Sequence, residues 1–577
     1  MRYLAVVLLV LSVHPATSVR LDSQSQAGGL RETTIDPDTI ARLREEGLHR
    51  SRVMEYAEYM SDVLGARLTL SDDMKRAQDW ARSEMERLGL VNVAVEPYMD
   101  YGVSWDNEYV SLHMVEPDYQ PMVGYPLAYT PGTAGRIREE AIIAELSRRE
   151  DLEKYRGRLK GKVVLSTPPA RIDLGTLARG VPRRTDEELD AIARTVIQPP
   201  AIQPAVPPSG GLKPEEKMRF FASEGVAAVL QCEGGWLGAV RGYGRPGTRE
   251  DRWSRKANLA APPMIAITPE HYNRLYRIAK RGIPVIVEIE VRNRIGESVQ
   301  KAANVLGEIP GTDLADELVM VGAHFDTWHA SPNASDNTSG CASVLEAARI
   351  LKAIGVRPRR TIRFALWSGE EQGLHGSREY VRKHFGDPKS GTTPAYETFS
   401  AYFNQDYGAG QFRGIYLQGN ERARRLFAAW MAPFRDLGLT VISNQGVGST
   451  DHVSFDAVGL PGFQFLQDRV PGTGGHTNLD FFDSLQAEDL VKNAVMTAGF
   501  ALQAAMSDER VPRKTVSALA GRFSLSSYGC HDWMWASELC DTRPGATAQR
   551  PFDRICCETG QWLHHGNMER SRTISPA

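Results

Sequence analysis

The stretch LVMVGAHFD at residues 318–326 decides the fold class of this sequence. Its apolar start is typical of a strand buried on both faces of a sheet, and the polar residues His324 and Asp326 come where that strand should end. A helix is predicted next, over Ser339–Ile354, with Gly355 as its stop. A buried strand followed by a loop and a helix is one unit of an α/β fold.

The alternation of strand and helix continues along the chain. Further strands are predicted at Thr361–Trp367, Phe399–Asn404, Leu439–Ile442 and Gly462–Leu466, and further helices at Glu421–Leu437 and Gln486–Met506. Residues 36–90 are predicted to be mainly helical as well. Because strands that alternate with helices usually run parallel, we predict an α/β fold with a mixed, mostly parallel sheet and helices on both faces.

A strand-rich block interrupts this pattern. Short strands are predicted at Gly161–Ser166, Gly225–Gln231, Pro263–Thr268 and Pro284–Val291. Pro214 and Pro269 stand where first-turn prolines open helices. Residues 167–214 contain nine prolines, which indicates an exposed and partly extended excursion or lid rather than a regular element.

Length and composition narrow the class of protein. The chain of 577 residues is long enough for at least two domains, and 42% hydrophobic with 24% charged residues is typical of a globular protein. With 68 Lys and Arg against 71 Asp and Glu, the formal net charge is -3. This balance argues against nucleic acid or an acidic membrane surface as a partner.

The N-terminus predicts export. Met1–Arg2 is a positive start, Tyr3–Val13 is an apolar run, and Ala16–Ser18 has the small residues of a cleavage site, so residues 1–18 are interpreted as a signal peptide. A buried N-terminal strand or helix is the alternative interpretation. The apolar run is too short to span a membrane and no later segment is long enough. We therefore expect a secreted, periplasmic or otherwise extracytoplasmic protein with no membrane span.

Polar residues follow several of the predicted strands. His324 and Asp326 follow the first strand, and Asp336 lies in the loop before the next helix. The other members of this set follow later strands and are Glu370, Glu371, Asp406 and His476. Because the carboxyl ends of parallel strands meet at one edge of an open sheet, we expect these side chains to lie close together.

The residue types in this set favour a metal site. Two His, several carboxylates and no Cys suit zinc or a similar divalent ion, and a carboxylate that could bridge two ions is available. Asp326 is expected to accept the second ring N–H of His324. The adjacent Glu370 and Glu371 offer a general base and a ligand side by side. Each residue alone is more often a turn former or a helix-start charge, so the prediction depends on the whole set.

The motifs around these residues resemble those of a known enzyme family. They read VGAHFD (321–326), ASDNTSG (334–340), LWSGEEQGLHGS (366–377), NQD (404–406), STDHVSFDAVGLPGFQF (449–465) and HTNLD (476–480). Over residues 35–120 and 297–507 the chain is similar to the co-catalytic zinc exopeptidases of metallopeptidase family twenty-eight. Residues 121–296 are similar to the protease-associated domain that several members carry as an insertion. The resemblance implies a zinc exopeptidase fold interrupted by this smaller strand-rich domain.

The resemblance also implies roles for the individual residues. It puts one Zn²⁺ on His324, Asp336 and Asp406 and a second on Asp336, Glu371 and His476, so each chain would bind two zinc ions. Asp336 then bridges the ions, Glu370 matches the general base, and Asp326 completes the catalytic residues. A cis peptide is expected at Asp336–Asn337. Gly475 stands where some relatives carry an aromatic residue that helps to stabilise an oxyanion, so that role has no candidate.

The activity that the resemblance implies is hydrolysis at the end of peptides or in dipeptides. Aminopeptidase and carboxypeptidase Q-like dipeptidase activities share the metal ligands, so both stay open, with a small peptide or dipeptide as the substrate. A homodimer is compatible with the resemblance. Two alternatives on the same fold are a non-catalytic receptor or binding protein and a glutaminyl cyclase-like transferase. The complete ligand set argues against the first, and the strand-rich insertion argues against the second.

The C-terminal tail, residues 508–577, matches nothing in the family. It carries Cys530, Cys540, Cys556 and Cys557, which could form disulfides in three pairings if the tail is exported and ordered. Disorder is the alternative. Cys341, at the start of a predicted helix, is expected to pack as a small apolar residue.

Overall fold

The computed structural model describes residues 35–170, 172, 183–195, 211–232, 237–247, 249–406, 408–470 and 475–514. The predicted signal peptide and the four tail cysteines lie outside these residues. Within the described ranges, none of the helices combines the length and apolar character that a membrane crossing needs.

The structure is built from the following elements. The strands are β1 (Val91–Gly102), β2 (Trp105–Glu116), β3 (Gln120–Pro121), β4 (Gly124–Pro126), β5 (Ile137–Ile143), β6 (Val163–Leu165), β7 (Ala228–Gln231), β8 (Met264–Ile267), β9 (Ile286–Ile295), β10 (Gln300–Ile309), β11 (Leu314–His324), β12 (Arg360–Trp367), β13 (Gly386–Asp387), β14 (Gly391–Thr392), β15 (Phe399–Asn404), β16 (Phe412–Tyr416), β17 (Val441–Ser443) and β18 (Gly462–Gln467). The α-helices are α1 (Pro37–His49), α2 (Val53–Glu58), α3 (Asp72–Arg87), α4 (Arg149–Tyr155), α5 (Asp186–Arg194), α6 (Pro214–Glu224), α7 (Arg249–Trp253), α8 (Arg255–Ala260), α9 (Pro269–Lys280), α10 (Ser339–Ala353), α11 (His375–His384), α12 (Pro394–Thr398), α13 (Arg424–Met431), α14 (His452–Asp456) and α15 (Ala487–Met506). Short π-helical turns lie at Tyr59–Leu64 and Ala334–Thr338, and 3₁₀ turns at Glu421–Ala423, Ala432–Leu437 and Phe482–Ser484.

The first sheet has eight strands in the order β1-β10-β12-β11-β15-β18-β16-β17. Its four central strands, β12, β11, β15 and β18, run parallel to one another. Antiparallel pairing occurs toward the edges, between β1 and β10, β10 and β12, and β16 and β18. The predicted α/β class with a mixed, mostly parallel sheet is therefore confirmed.

Helices cover both faces of the first sheet. On β11, Val319 and Val321 are buried in a core that includes residues of α10 and α15. Met320 points to the opposite face and packs with Tyr380 of α11 and the neighbouring Phe385. Burial on both faces stabilises the strand by roughly 1.5–3 kcal/mol for each large apolar side chain, and it explains why β11 reads as an unbroken apolar run.

The second sheet lies between β1 and β10 in the chain, with eight strands in the order β3-β2-β9-β5-β6-β7-β8-β4. All four strands predicted in the strand-rich block are present, and Pro214 and Pro269 open α6 and α9 as expected. The sheet also includes β2, which pairs with β9 from Trp105 to Glu116. Those residues belong to the segment 35–120 that is predicted to be part of the peptidase domain, so the second sheet begins earlier in the chain than residue 121.

Three local expectations differ from the structure. The proline-rich excursion contains a regular element, α5, whose Leu189 packs against Tyr416 and Leu466 of the first sheet. A single helix over residues 421–437 is replaced by α13 flanked by two 3₁₀ turns. The strand β16 has no counterpart in the prediction because Gly414 breaks its apolar pattern. A Cβ at Gly414 would lie 1.9 Å from the carbonyl oxygen of Val441, so the close approach of β17 requires glycine there.

Candidate metal centre

The central strands bring the predicted site residues to one edge of the first sheet. His324 is the last residue of β11, and it lies opposite Trp367, the last residue of β12. Asp406 comes two residues after β15, and Glu370 comes three residues after β12. Because these strands are parallel, their carboxyl ends expose the side chains that follow them at the same edge.

Asp336 lies at the centre of the cluster. Its Oδ1 is 3.1 Å from His324 Nε2, and its Oδ2 is 2.8 Å from His476 Nε2. His324 Nε2 is also 3.6 Å from Asp406 Oδ1, and His476 Nε2 is 2.9 Å from Glu371 Oε2. The two oxygens of one carboxylate thus face two separate groups of ligand atoms.

These side chains form two potential metal-binding groups. One consists of His324, Asp336 and Asp406, and the other of Asp336, Glu371 and His476; within each group the ligand atoms lie within 4.8 Å of one another. Glu371 Oε1 is buried and has no hydrogen-bond partner in the part of the chain that the structure describes. A buried carboxylate oxygen without a donor fits a cation as its missing partner.

The electrostatics of the cluster also fit a bound cation. Burial opposes ionisation of Glu370 and raises its pKa well above the usual range, and burial raises the pKa of Glu371 to about 7. Burial works against protonation of His324 and His476, but the carboxylates around them raise both pKa values well above the usual range. Burial likewise opposes ionisation of Asp336, yet the two imidazoles hold its pKa below the usual range. The cluster thus has more carboxylates than imidazoles, and a bound cation would offset this excess of negative charge.

Asp326 has a different partner from the one expected. His324 Nδ1 lies 2.9 Å from the main-chain carbonyl oxygen of Asp326, whereas its distance to the Asp326 carboxylate is 3.9 Å. The carboxylate instead accepts hydrogen bonds from the backbone N–H groups of Glu370, at 3.1 Å, and Glu371, at 3.3 Å. Asp326 therefore holds the backbone of the two glutamates, because their N–H groups point at it where the chain turns after β12.

Two supporting residues escaped the sequence analysis. Thr69 donates a hydrogen bond to Asp326 Oδ2, at 3.2 Å, and accepts one from the N–H of Gly369, at 3.0 Å. Arg67 is completely buried and donates to the carbonyl oxygen of Phe325, at 2.8 Å. Both residues come from the loop before α3, more than 250 positions away in the chain, so no local pattern connects them to the site.

The loop that carries Asp336 is held by Asp480. The Asp480 carboxylate accepts hydrogen bonds from the N–H groups of Ser335, at 2.9 Å, and Asp336, at 3.2 Å. The peptide bond between Asp336 and Asn337 is cis, as expected. A Cβ at Gly475 would lie 3.2 Å from Asp336 Oδ2, so the position before His476 has little room for a larger residue.

Cys341 packs as predicted. It is fully buried without a disulfide partner, and its thiol donates to the carbonyl oxygen of His324 at 2.9 Å. Burial raises the pKa of this thiol to about 12, which keeps it in the protonated form.

Comparison with known proteins agrees with this fold. Residues 304–501 match Peptidase family M28. The chain is 23% identical over 477 residues to carboxypeptidase Q of Mus musculus, which covers 82% of this chain and 90% of that protein. It is 32% identical over 162 residues to leupeptin-inactivating enzyme 1 of Streptomyces exfoliatus, covering 27% and 34% of the two chains. The crystal structure of a peptidase M28 precursor from Shewanella amazonensis has a TM-score of 0.59 at 22% identity and covers 83% of this chain and 98% of its own.

The peptidase matches support a hydrolase of the metallo-exopeptidase class. The match to Peptidase family M28 spans residues 304–501. This match contains His324, Asp326, Asp336, Glu370, Glu371, Asp406 and His476.

Proposed function

We propose that this protein is a zinc-dependent exopeptidase in which two zinc ions share Asp336. The observation that carries the proposal is the position of the Asp336 carboxylate, whose two oxygens face His324 and His476 separately. A ligand set of imidazole nitrogens and carboxylate oxygens without thiolate suits zinc. His324, Asp336 and Asp406 would hold the first ion, and Asp336, Glu371 and His476 the second.

Glu370 is the proposed general base. A bound zinc pair would polarise the scissile carbonyl group and lower the pKa of the attacking water. Glu370 accepts a proton from that water as it attacks the carbonyl carbon, and it then donates the proton to the leaving amine. Asp326 orients Glu370 through the backbone hydrogen bond described above, so the carboxyl group is held at the edge of the site.

The proposed substrate is a small peptide or a dipeptide. Similarity to carboxypeptidase Q over most of the chain supports hydrolysis next to a peptide terminus. Leupeptin-inactivating enzyme 1 matches only a minor part of the chain and carries less weight. We also propose that the second sheet belongs to a domain inserted into the peptidase domain, and that the protein acts outside the cytoplasm.

A pair of glutamine variants tests the roles of the two glutamates. Glu370→Gln should retain two zinc ions per chain and lose turnover by about 10²- to 10⁴-fold, because the amide cannot accept the proton. The matched variant Glu371→Gln should lose the second zinc ion as well as turnover, because Glu371 is a proposed ligand of that ion. Zinc per chain is measured by elemental analysis, and turnover by release of free amino acids. Full turnover in a zinc-loaded Glu370→Gln enzyme would show that another group is the base.

A peptide panel tests the exopeptidase assignment and its direction. Peptides with free and with acetylated N-termini are compared, at equal length and sequence. Release of the N-terminal residue from the free peptides alone identifies an aminopeptidase, and release of the C-terminal residue from acetylated peptides identifies a carboxypeptidase. If the zinc-loaded enzyme releases no terminal residue from any peptide or dipeptide, the proposal is wrong.

A further inference from the structure

A segment next to the second sheet makes backbone contact with the loop that carries His476. This segment, residues 238–242, lies between β7 and α7, and we call it the clamp segment. The N–H of Gly242 donates to the carbonyl oxygen of His476 at 2.7 Å, and the N–H of Asn478 donates to the carbonyl oxygen of Val240 at 3.0 Å. Arg241 and Thr477 form an antiparallel bridge between these two hydrogen bonds. The metal-ligand loop and the clamp segment are thus paired like two short strands.

The side chain of Asn478 closes this pairing. Its Oδ1 accepts a hydrogen bond from the N–H of Val240 at 2.6 Å, and its Nδ2 donates to the carbonyl oxygen of Gly238 at 3.1 Å. Only 8% of Asn478 is exposed, so water does not easily replace these bonds. The carboxamide of Asn478 therefore satisfies one donor and one acceptor of the clamp segment. Asn478 itself is only two residues after His476, a proposed metal ligand.

The clamp segment is itself anchored to the second sheet and its helices. The N–H of Gly238 donates to Glu270 Oε1 of α9 at 2.8 Å, and directly after the clamp segment the carbonyl oxygen of Tyr243 accepts from the N–H of Ala128 at 2.9 Å. On its other side, Gly242 approaches the loop before Asp336, because a Cβ there would lie 2.8 Å from Ala330 Cβ. The His476 loop is consequently held between the peptidase core and the second sheet.

The two proposed zinc positions differ in this respect. Two ligands of the first position, His324 and Asp406, lie at or just after the ends of β11 and β15 in the first sheet, and its third ligand, Asp336, is shared with the second position. His476 belongs to a loop whose backbone is paired with the clamp segment, so the second position depends on both parts of the molecule. Residues that orient a ligand from outside the coordination shell commonly change metal affinity by 10- to 100-fold when they are replaced.

We propose that Asn478 is a positioning residue through which the second-sheet region controls occupancy of the second zinc position. The inference rests on the proposed two-zinc site. Asn478 neither binds metal nor touches the substrate in this proposal; it fixes the backbone that presents His476.

The test compares Asn478→Ala with a control that loses the same kind of contact elsewhere. Asn273 is 6% exposed, and its carboxamide accepts from the N–H of Ala170 at 2.9 Å and donates to the carbonyl oxygen of Ala170 at 2.8 Å. Zn²⁺ alone is titrated into metal-free protein in competition with a chromophoric chelator, and the two stepwise affinities are measured. For Asn478→Ala we expect an unchanged first affinity and a second affinity that is 10- to 100-fold weaker. For Asn273→Ala we expect both affinities to equal those of the wild type.

Each result decides between the alternatives. An unchanged second affinity in Asn478→Ala, or an equal loss in Asn273→Ala, would overturn the inference while leaving the two-zinc site intact. A wild-type chain that binds fewer than two zinc ions would instead contradict the proposed function, and the inference with it. If Asn478→Ala does not fold, Glu270→Ala takes its place, because it removes the anchor of Gly238 without altering the ligand loop. That variant should weaken the second affinity at least threefold, and a wild-type value would overturn the inference.

Discussion

Replacing Asp326 by asparagine tests how this residue supports the site. Its fully buried carboxylate accepts three hydrogen bonds, from the N–H groups of Glu370 and Glu371 and from the hydroxyl of Thr69. Asparagine has one acceptor oxygen, so at least one donor then faces an NH₂ group. Loss of a bond to a charged acceptor costs about 1.5–3 kcal/mol, and a buried donor without a partner adds about 1–3 kcal/mol. We expect Asp326→Asn to lower the free energy of unfolding by about 3–5 kcal/mol.

Urea unfolding of the metal-free protein measures this change, with Thr69→Val as the control. That control leaves the two backbone bonds of the carboxylate in place but removes the hydroxyl, which donates to Asp326 and accepts from the N–H of Gly369, and it should cost about 1–3 kcal/mol. Zinc titration adds a second readout. Because Asp326 holds the backbone of Glu371, Asp326→Asn should weaken the affinity of the second zinc position, to which Glu371 belongs. A change of less than 1 kcal/mol in Asp326→Asn would refute the hydrogen-bond argument. Selective weakening of the first zinc affinity would show that Asp326 acts through His324 instead.

Two further predictions concern stability away from the site. Burial opposes ionisation of Glu96, but hydrogen bonds from His384 and Lys383 outweigh it and lower its pKa to about 2. Since the folded pKa lies below the usual value of 4.5, Glu96→Gln should cost about 1 kcal/mol at pH 7 after solvent screening, and the difference in urea unfolding should disappear as the pH falls from 4.5 to 2. A constant difference across that range would contradict the ion-pair explanation. Gly414→Ala should cost about 3 kcal/mol through the clash of its Cβ with Val441. At Gly448 an added Cβ would meet no neighbouring atom within 4 Å, so Gly448→Ala should cost less than about 0.5 kcal/mol, and equal costs would refute the packing argument.

Several residues of the candidate site could be predicted because they lie at or shortly after the ends of buried strands. His324 and Asp406 stand directly after apolar runs, so the topology of a parallel sheet is enough to bring them together. The residues that support them could not be found this way. Thr69 and Arg67 contact the site through a loop that is distant in the chain, and Asn478 contacts the clamp segment, which lies next to the second sheet. Only the three-dimensional structure joins such pairs.

The fold was predictable to a similar degree. The apolar pattern was sufficient to predict the central strands and the helices α10 and α15, because these helices are buried along most of their length. It failed where a tertiary contact determines the residue type, as at Gly414 in β16. It also failed for α5, because the prolines on either side obscure a short amphipathic helix whose Leu189 is buried only against another part of the chain.

Helix α5 has a consequence for cutting the chain into parts. Leu189 covers Tyr416 of β16 and Leu466 of β18, next to the edge strand β17 of the first sheet. Glu188 pairs with Arg469 at 3.0 Å, and Arg183 pairs with Asp489 at 2.8 Å. A recombinant peptidase domain made by deleting the strand-rich block would lose this cover and expose an apolar patch, which favours self-association. The same deletion would also remove the clamp segment, which pairs with the His476 loop. Since these contacts link the two sheets, we expect both sheets of the intact chain to unfold together in one cooperative transition.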